Sequence, residues 1–177
     1  HKISDLFRAG TSLLYTFKDH DARNSSVFGQ SLKMTTITHP YTREGNLIYT
    51  PNPRYAAHAN PLLDETEGAF AHNIETTRFF GNVYLEVTPH KNLLFKSIYA
   101  LDRSNVRDGT YQDYQSVGRY QSPGTSFISS QYSKSTGYTW ENTLNYHTAF
   151  GGSPHDVTFL LGQSMAQSVY ENMRTEG

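Results

Sequence analysis

Five stretches of this chain alternate apolar and polar residues with a period of two, which is the pattern of a β-strand with one apolar face. They lie at residues 6–18, 77–88, 93–102, 137–150 and 156–167. In the clearest stretch, 77–88, Phe79 and Val83 share one face, and Arg78 and Glu86 share the other. We therefore predict five strands.

The alternation assigns side chains to two faces of the predicted sheet. We expect the 77–88, 93–102 and 137–150 strands to form a continuous antiparallel meander. One face would hold Phe79, Val83, Leu85, Phe95, Tyr99, Trp140 and Leu144. The opposite, polar face would hold Arg78, Glu86, Lys96, Glu141 and His147.

The joints between the stretches alternate between short and long. Residues 88–92 and 151–155 are the short joints, and residues 19–76 and 102–136 are the long ones. Transmembrane β-barrels have short turns on one side and long loops on the outer side, and a tilted strand needs about 9–11 residues to cross. A soluble antiparallel sheet with one wet face is the alternative, because it alternates in the same way.

The predicted fold class is therefore all-β, an antiparallel up-and-down meander of about five strands from a large transmembrane barrel with long outer loops. Five crossings cannot close a sheet, and open edges are not tolerated in lipid. We expect residues 1–177 to be part of one barrel domain, an internal fragment that begins and ends among further strands.

The composition of the chain excludes several classes of function. The chain has no cysteine, which excludes disulfides and thiolate sites, and its formal net charge of -1 gives no electrostatic case for nucleic acid. Asp19, His20 and Asp21 lack the ligand ladder of a calcium loop. We find no catalytic, metal or cofactor motif and expect a protein that is not an enzyme.

The long joints carry the candidate binding residues, since loops meet ligands while strands fix the frame. Residues 25–35 have apolar positions near helical spacing, and Ser25 or Ser26 would cap the resulting helix. Tyrosine rings stack on sugars and present a hydroxyl for hydrogen bonds. The candidate ligand-binding residues of the second long joint are Tyr111, Tyr114, Tyr120 and Tyr132.

Several short segments of the sequence, in this order and spacing, resemble segments of one protein family. They are Asn60-Pro61-Leu62-Leu63, Gly81-Asn82-Val83-Tyr84-Leu85-Glu86, Trp140-Glu141-Asn142-Thr143-Leu144 and Leu160-Leu161-Gly162-Gln163-Ser164, with residues 26–34 matching a long outer loop. The series resembles the barrel of the SusC-like TonB-dependent receptors of Bacteroidetes.

The resemblance implies a barrel of about 22 strands in the cell outer membrane, filled by an N-terminal plug. Receptors of this kind pair with a SusD-like surface lipoprotein and import glycans or peptides with energy from TonB. The plug and the segment that contacts TonB are absent from these residues. A soluble β-rich glycan-binding domain is the alternative function, motivated by the 13 tyrosines.

Overall fold

The computed structural model describes residues 4, 6–52, 58–119, 122, 124–149 and 156–177. Its five strands are β1 (Phe7–Asp21), β2 (Phe70–His90), β3 (Leu93–Gln112), β4 (Phe127–Ala149) and β5 (Asp156–Glu176). They form one sheet in which every strand pairs with its neighbours in sequence. This antiparallel meander confirms the predicted fold class.

The joints contain helical elements. The helix α1 (Ser25–Lys33) and a short 3₁₀ helix, Pro61–Glu65, lie between β1 and β2, and a second 3₁₀ helix, Val117–Arg119, lies between β3 and β4. Among the residues that the structure describes, no helix has both the length and the apolar character that a membrane crossing requires. The short joint at 151–155, with Phe150, lies outside the described residues.

The strands extend further into the long joints than the sequence alternation indicates. β2 begins at Phe70 rather than at residue 77, β3 continues to Gln112, and β4 begins at Phe127. The backbone continues to pair there, but both faces carry polar side chains such as Asn73 and Asp108. Alternation of hydrophobicity ends where the sheet no longer has one apolar face.

The chain divides into two compact units. The strand unit comprises His1–Phe17, Thr77–Asn105 and Ser133–Glu171, and the loop unit comprises Lys18–Thr76, Val106–Tyr132 and Asn172–Gly177.

One face of the strand unit is apolar. Leu13, Phe79, Val83 and Tyr99 line a shallow hollow around Gly81 on this face. The Tyr99 ring stacks on that of Tyr138, with ring centroids 6.3 Å apart. Trp140 lies on the same face, because its Nε1 donates a hydrogen bond of 3.0 Å to Ser97 Oγ. These contacts agree with the predicted apolar face.

The apolar face has no second layer packed on it in the described part of the chain. Val83 is 53% exposed and Trp140 is 44% exposed. A soluble sandwich would bury these side chains between two sheets. The sheet therefore presents apolar side chains where a soluble domain would enclose them.

The opposite face of the strand unit carries ion pairs. Glu86 accepts from Lys96 Nζ at 3.2 Å and lies 3.6 Å from Arg8 Nη1. Arg78 binds Asp102 through two bonds, Nη2 to Oδ2 at 2.6 Å and Nε to Oδ1 at 3.0 Å. Arg78, Glu86 and Lys96 thus share the predicted polar face.

Candidate functional site at the long loops

The core of the loop unit is small and lies among the joints. Ala59, Leu63 and Val117 are buried together, and Val27, Leu47 and Tyr49 pack against them. Residues from both long joints therefore contribute to one cluster. Because few apolar side chains are buried in this cluster, the polar contacts around it contribute much of the stability of the loop unit.

The N-cap of helix α1 lies one residue before the predicted caps. The side chain of Asn24, rather than that of Ser25 or Ser26, caps it, because Asn24 Oδ1 accepts a hydrogen bond of 3.0 Å from the Ser26 backbone N–H. Asparagine is among the strongest N-caps, since its short side chain reaches the free amides of the first turn. The helix itself is confirmed.

Asn60 is the buried amide that organises the first long joint, with an exposed fraction of 1%. Its Nδ2 donates to the carbonyl oxygens of Pro40 at 3.0 Å and Ile48 at 2.9 Å. Its Oδ1 accepts from the backbone N–H of Leu62 at 3.1 Å, which caps the Pro61–Glu65 helix. One side chain thus joins three segments, and its satisfied bonds permit its burial.

Asp64 links the two long joints. Its Oδ2 accepts a hydrogen bond of 2.7 Å from Asn24 Nδ2, next to the start of α1. Its Oδ1 accepts one of 2.8 Å from the backbone N–H of Val117, which is 1% exposed. The carboxylate therefore holds α1 and the Val117–Arg119 helix in a fixed relation, with hydrogen bonds of the stronger, charge-assisted kind.

A cleft of about 640 Å³ lies beside α1 in the loop unit. Val27, Phe28 and Phe70 supply its apolar walls, and the residues with ionisable side chains around it are Asp21, Arg23, Asp64, Glu65 and His72.

The ionisable side chains around the cleft already have partners within the chain. Glu65 binds Arg23 at 2.8 Å, and His72 binds Asp108 at 3.0 Å. Asp21 accepts from Asn73 Nδ2 at 2.9 Å. The surface that the cleft leaves open to a ligand is therefore mainly apolar, with a rim of paired polar groups.

Three large apolar side chains of this joint are highly exposed. Phe28 and Leu32, one helical turn apart on α1, are 73% and 72% exposed, and Ile37 is 83% exposed. Gln30, on the same helix, is buried instead. Val27 of this helix packs on the loop core, whereas Phe28 and Leu32 stay exposed and form a candidate interaction surface. We call Phe28, Leu32 and Ile37 the apolar loop patch.

The structure describes three of the four predicted tyrosines. Tyr111 lies in β3 and donates to Asp113 Oδ1 at 3.4 Å, and Tyr114 accepts from Gln115 Nε2 at 3.0 Å. Tyr132 lies in β4. Tyr120 lies outside the described residues. Their role in ligand binding stays a prediction.

Among the described residues, no group of His, Asp and Glu side chains has the arrangement of a metal site. Asp19 and Asp21, which flank His20 in β1, both accept hydrogen bonds from the Asn73 side chain, at 2.7 Å and 2.9 Å. These carboxylates thus fasten β1 to β2.

The fold defines a class of protein: a segment of a large β-barrel, built as a five-stranded antiparallel meander. The solved RagAB peptide transporter matches it with a TM-score of 0.71 and 16% identity over 99% of this chain and 20% of that chain. The RagAB peptide importer in its "closed-closed" state gives 0.67 and 15%, over 99% and 23%. Its "open-open" state gives 0.63 and 15%, over 98% and 23%.

The chain spans about a fifth of the length of these transporter chains. No family model matches the sequence, and no curated protein matches it. At this level of identity the likeness concerns the fold alone.

Proposed function

We propose that this chain is part of the barrel of a TonB-dependent importer of the outer membrane. The observation that carries the proposal is the exposed apolar face of a single-layer sheet whose opposite face holds ion pairs. Lipid on one side and a polar lumen on the other account for both faces. The fold likeness to the RagAB peptide importer supports the same function.

A SusD-like lipoprotein is the proposed partner at the outer surface, and its docking site would be the apolar loop patch. Three apolar side chains that are each more than 70% exposed favour burial against a protein. TonB would act on the N-terminal part that these residues do not include.

The proposed substrate is a glycan or a peptide, and the cleft beside α1 favours a peptide. Sugar recognition requires free hydrogen-bonding groups beside an aromatic ring. Here the carboxylates of Asp64 and Glu65 are bound to Asn24 and Arg23, whereas Phe28 and Phe70 stay open to an apolar side chain. Tyr111, Tyr114, Tyr120 and Tyr132 stay additional candidates for the ligand surface.

Surface labelling tests the membrane orientation, because the chain contains no cysteine of its own. In the full-length receptor, Glu44→Cys places a thiol in the first long joint, and Lys91→Cys places one in the tight turn between β2 and β3. A membrane-impermeant maleimide should label Glu44→Cys on intact cells, and Lys91→Cys only after the outer membrane is opened. Recovery of the protein in the soluble fraction would instead favour the glycan-binding domain.

Uptake by cells that carry the receptor separates the two substrate classes. Labelled oligopeptides with apolar side chains should accumulate, and the accumulation should stop when an uncoupler removes the proton gradient that drives TonB. Accumulation of oligosaccharides alone would contradict the peptide assignment and leave the importer assignment intact.

A further inference from the structure

On β3 and β4, the apolar face of the strand unit ends in a basic residue on the side of the long joints. On β3 the apolar positions of this face run to Leu101, and the next residue on the face is Arg103. On β4 they run from Tyr146 up to Tyr138, and the first charged residue beyond them is Lys134. Asp102, between Leu101 and Arg103, binds Arg78 on the polar face, so alternation directs Arg103 to the apolar face.

The contacts between β3 and β4 place these two cations side by side. Tyr99 stacks on Tyr138, and Ser97 binds Trp140. Arg103 follows Tyr99 by four residues, and Lys134 precedes Tyr138 by four, so the pair repeats the relation of the stacked tyrosines. Neighbours in this relation have Cβ atoms about 5–8 Å apart, within reach of a shared ligand.

The pair has charge left for an anion. Lys134 Nζ binds Glu171 Oε2 at 3.1 Å, and its side chain is 28% exposed. Arg103 is exposed and forms no ion pair with any residue in the described ranges. The guanidinium of Arg103 is therefore open to an anion, whereas the ammonium of Lys134 is shared with Glu171. The planar fork of the guanidinium donates two parallel hydrogen bonds to phosphate oxygens.

Arg103 also lies at the height along the barrel axis where the edge of the membrane's apolar band is expected. It follows Leu93, the first residue of β3 after the tight turn, by ten residues. With about 3.4 Å per residue and a strand tilt near 40°, Arg103 is about 25 Å above that turn along the barrel axis. This is about the height of the apolar band of an outer-membrane barrel.

We infer that Arg103 and Lys134 bind a phosphate group on a lipid of the outer leaflet. The inference rests on the proposed function, because that function sets which end of the strands faces outward. The occupant is a lipid rather than free phosphate, since the site continues directly into the lipid-facing apolar surface at Leu101. Basic groups at the edge of a lipid-facing surface hold anionic headgroups in this way.

The test measures binding of phosphorylated lipid A to the purified, delipidated full-length receptor in a neutral detergent. Arg103→Gln should weaken binding by about tenfold, the effect of losing charge-assisted hydrogen bonds. Lys91→Gln, which removes an exposed cation at the opposite end of the strands, should leave the affinity unchanged. Lipid A without phosphates should bind the parent and the Arg103→Gln variant equally.

Two outcomes would overturn the inference: equal affinity of parent and Arg103→Gln for phosphorylated lipid A, or displacement of that lipid by millimolar inorganic phosphate. Surface labelling at Glu44→Cys separates this failure from failure of the proposed function. Normal labelling on intact cells with unchanged lipid affinity refutes the lipid site alone. Absence of labelling refutes the membrane orientation itself.

Discussion

Replacing Asp64 with alanine should release the two long joints from each other. The substitution removes the acceptor of the Val117 amide, at 2.8 Å, and that of the Asn24 side chain, at 2.7 Å. A buried donor left without a partner costs about 1–3 kcal/mol, and Val117 is 1% exposed. With the second bond included, opening of the loop core should become easier by about 3 kcal/mol.

Hydrogen exchange at the Val117 amide in the full-length receptor measures this effect. An opening free energy lower by about 3 kcal/mol corresponds to exchange about a hundredfold faster. Asp64→Asn should show a smaller effect, because an amide oxygen still accepts from Val117 while its NH₂ faces the Asn24 donor.

Glu65→Gln is the matched control for Asp64. Its ion pair with Arg23 is largely exposed, with side-chain exposures of 55% and 86%, and such pairs contribute at most about 1 kcal/mol. Unchanged Val117 exchange in Asp64→Ala would refute the assignment of Asp64 as the link between the joints.

Three further predictions concern the lipid-facing surface, the partner surface and pH. Val83→Arg should lower the yield of folded receptor in outer-membrane fractions, since arginine facing lipid costs about 2–4 kcal/mol at midplane. The neighbouring Asn82→Arg, on the polar face, should fold normally; equal losses would contradict the assignment of faces. Leu32→Glu should weaken lipoprotein binding at least tenfold in titrations, and Lys33→Glu should not. Burial raises the pKa of Tyr49, so its contribution to stability is complete below the unfolded pKa of about 10 and is lost as pH rises through the raised folded pKa. Tyr49→Phe should remove this alkaline loss in unfolding titrations; an unchanged pH profile would contradict it.

The sequence predicts the middle of each strand better than its ends. Alternation between Phe79 and Leu85 is visible because one face meets an apolar environment and the other does not. Before Thr77 each face of β2 mixes apolar and polar residues, with Phe70 and Ile74 on the side of His72, so no periodicity distinguishes residues 70–76 from a loop, although their backbone pairs in the same ladder. Hydrogen bonding, not hydrophobicity, sets those strand ends.

The two residues that organise the loop unit, Asn60 and Asp64, differ in how well the local sequence predicts their roles. Asn60 stands before Pro61, a pairing typical of a helix start, so its capping role was accessible from local sequence. No local sequence pattern predicts the role of Asp64, because its partners Asn24 and Val117 are 40 and 53 residues away. Contacts between distant segments follow from the fold of both joints, and a single sequence has no periodic pattern that reports them.

The order of the strands has a consequence for how the sheet is assembled. β2 and β3 are joined by a turn of two residues, Lys91 and Asn92, whereas β1 and β2 are separated by residues 22–69. Closing the longer connection costs about 3 kcal/mol more conformational entropy. The β2–β3 hairpin therefore forms early, and β1 joins it late. Folding of the first long joint around Asn60 shortens the effective connection, so order in that joint speeds the pairing of β1 with β2.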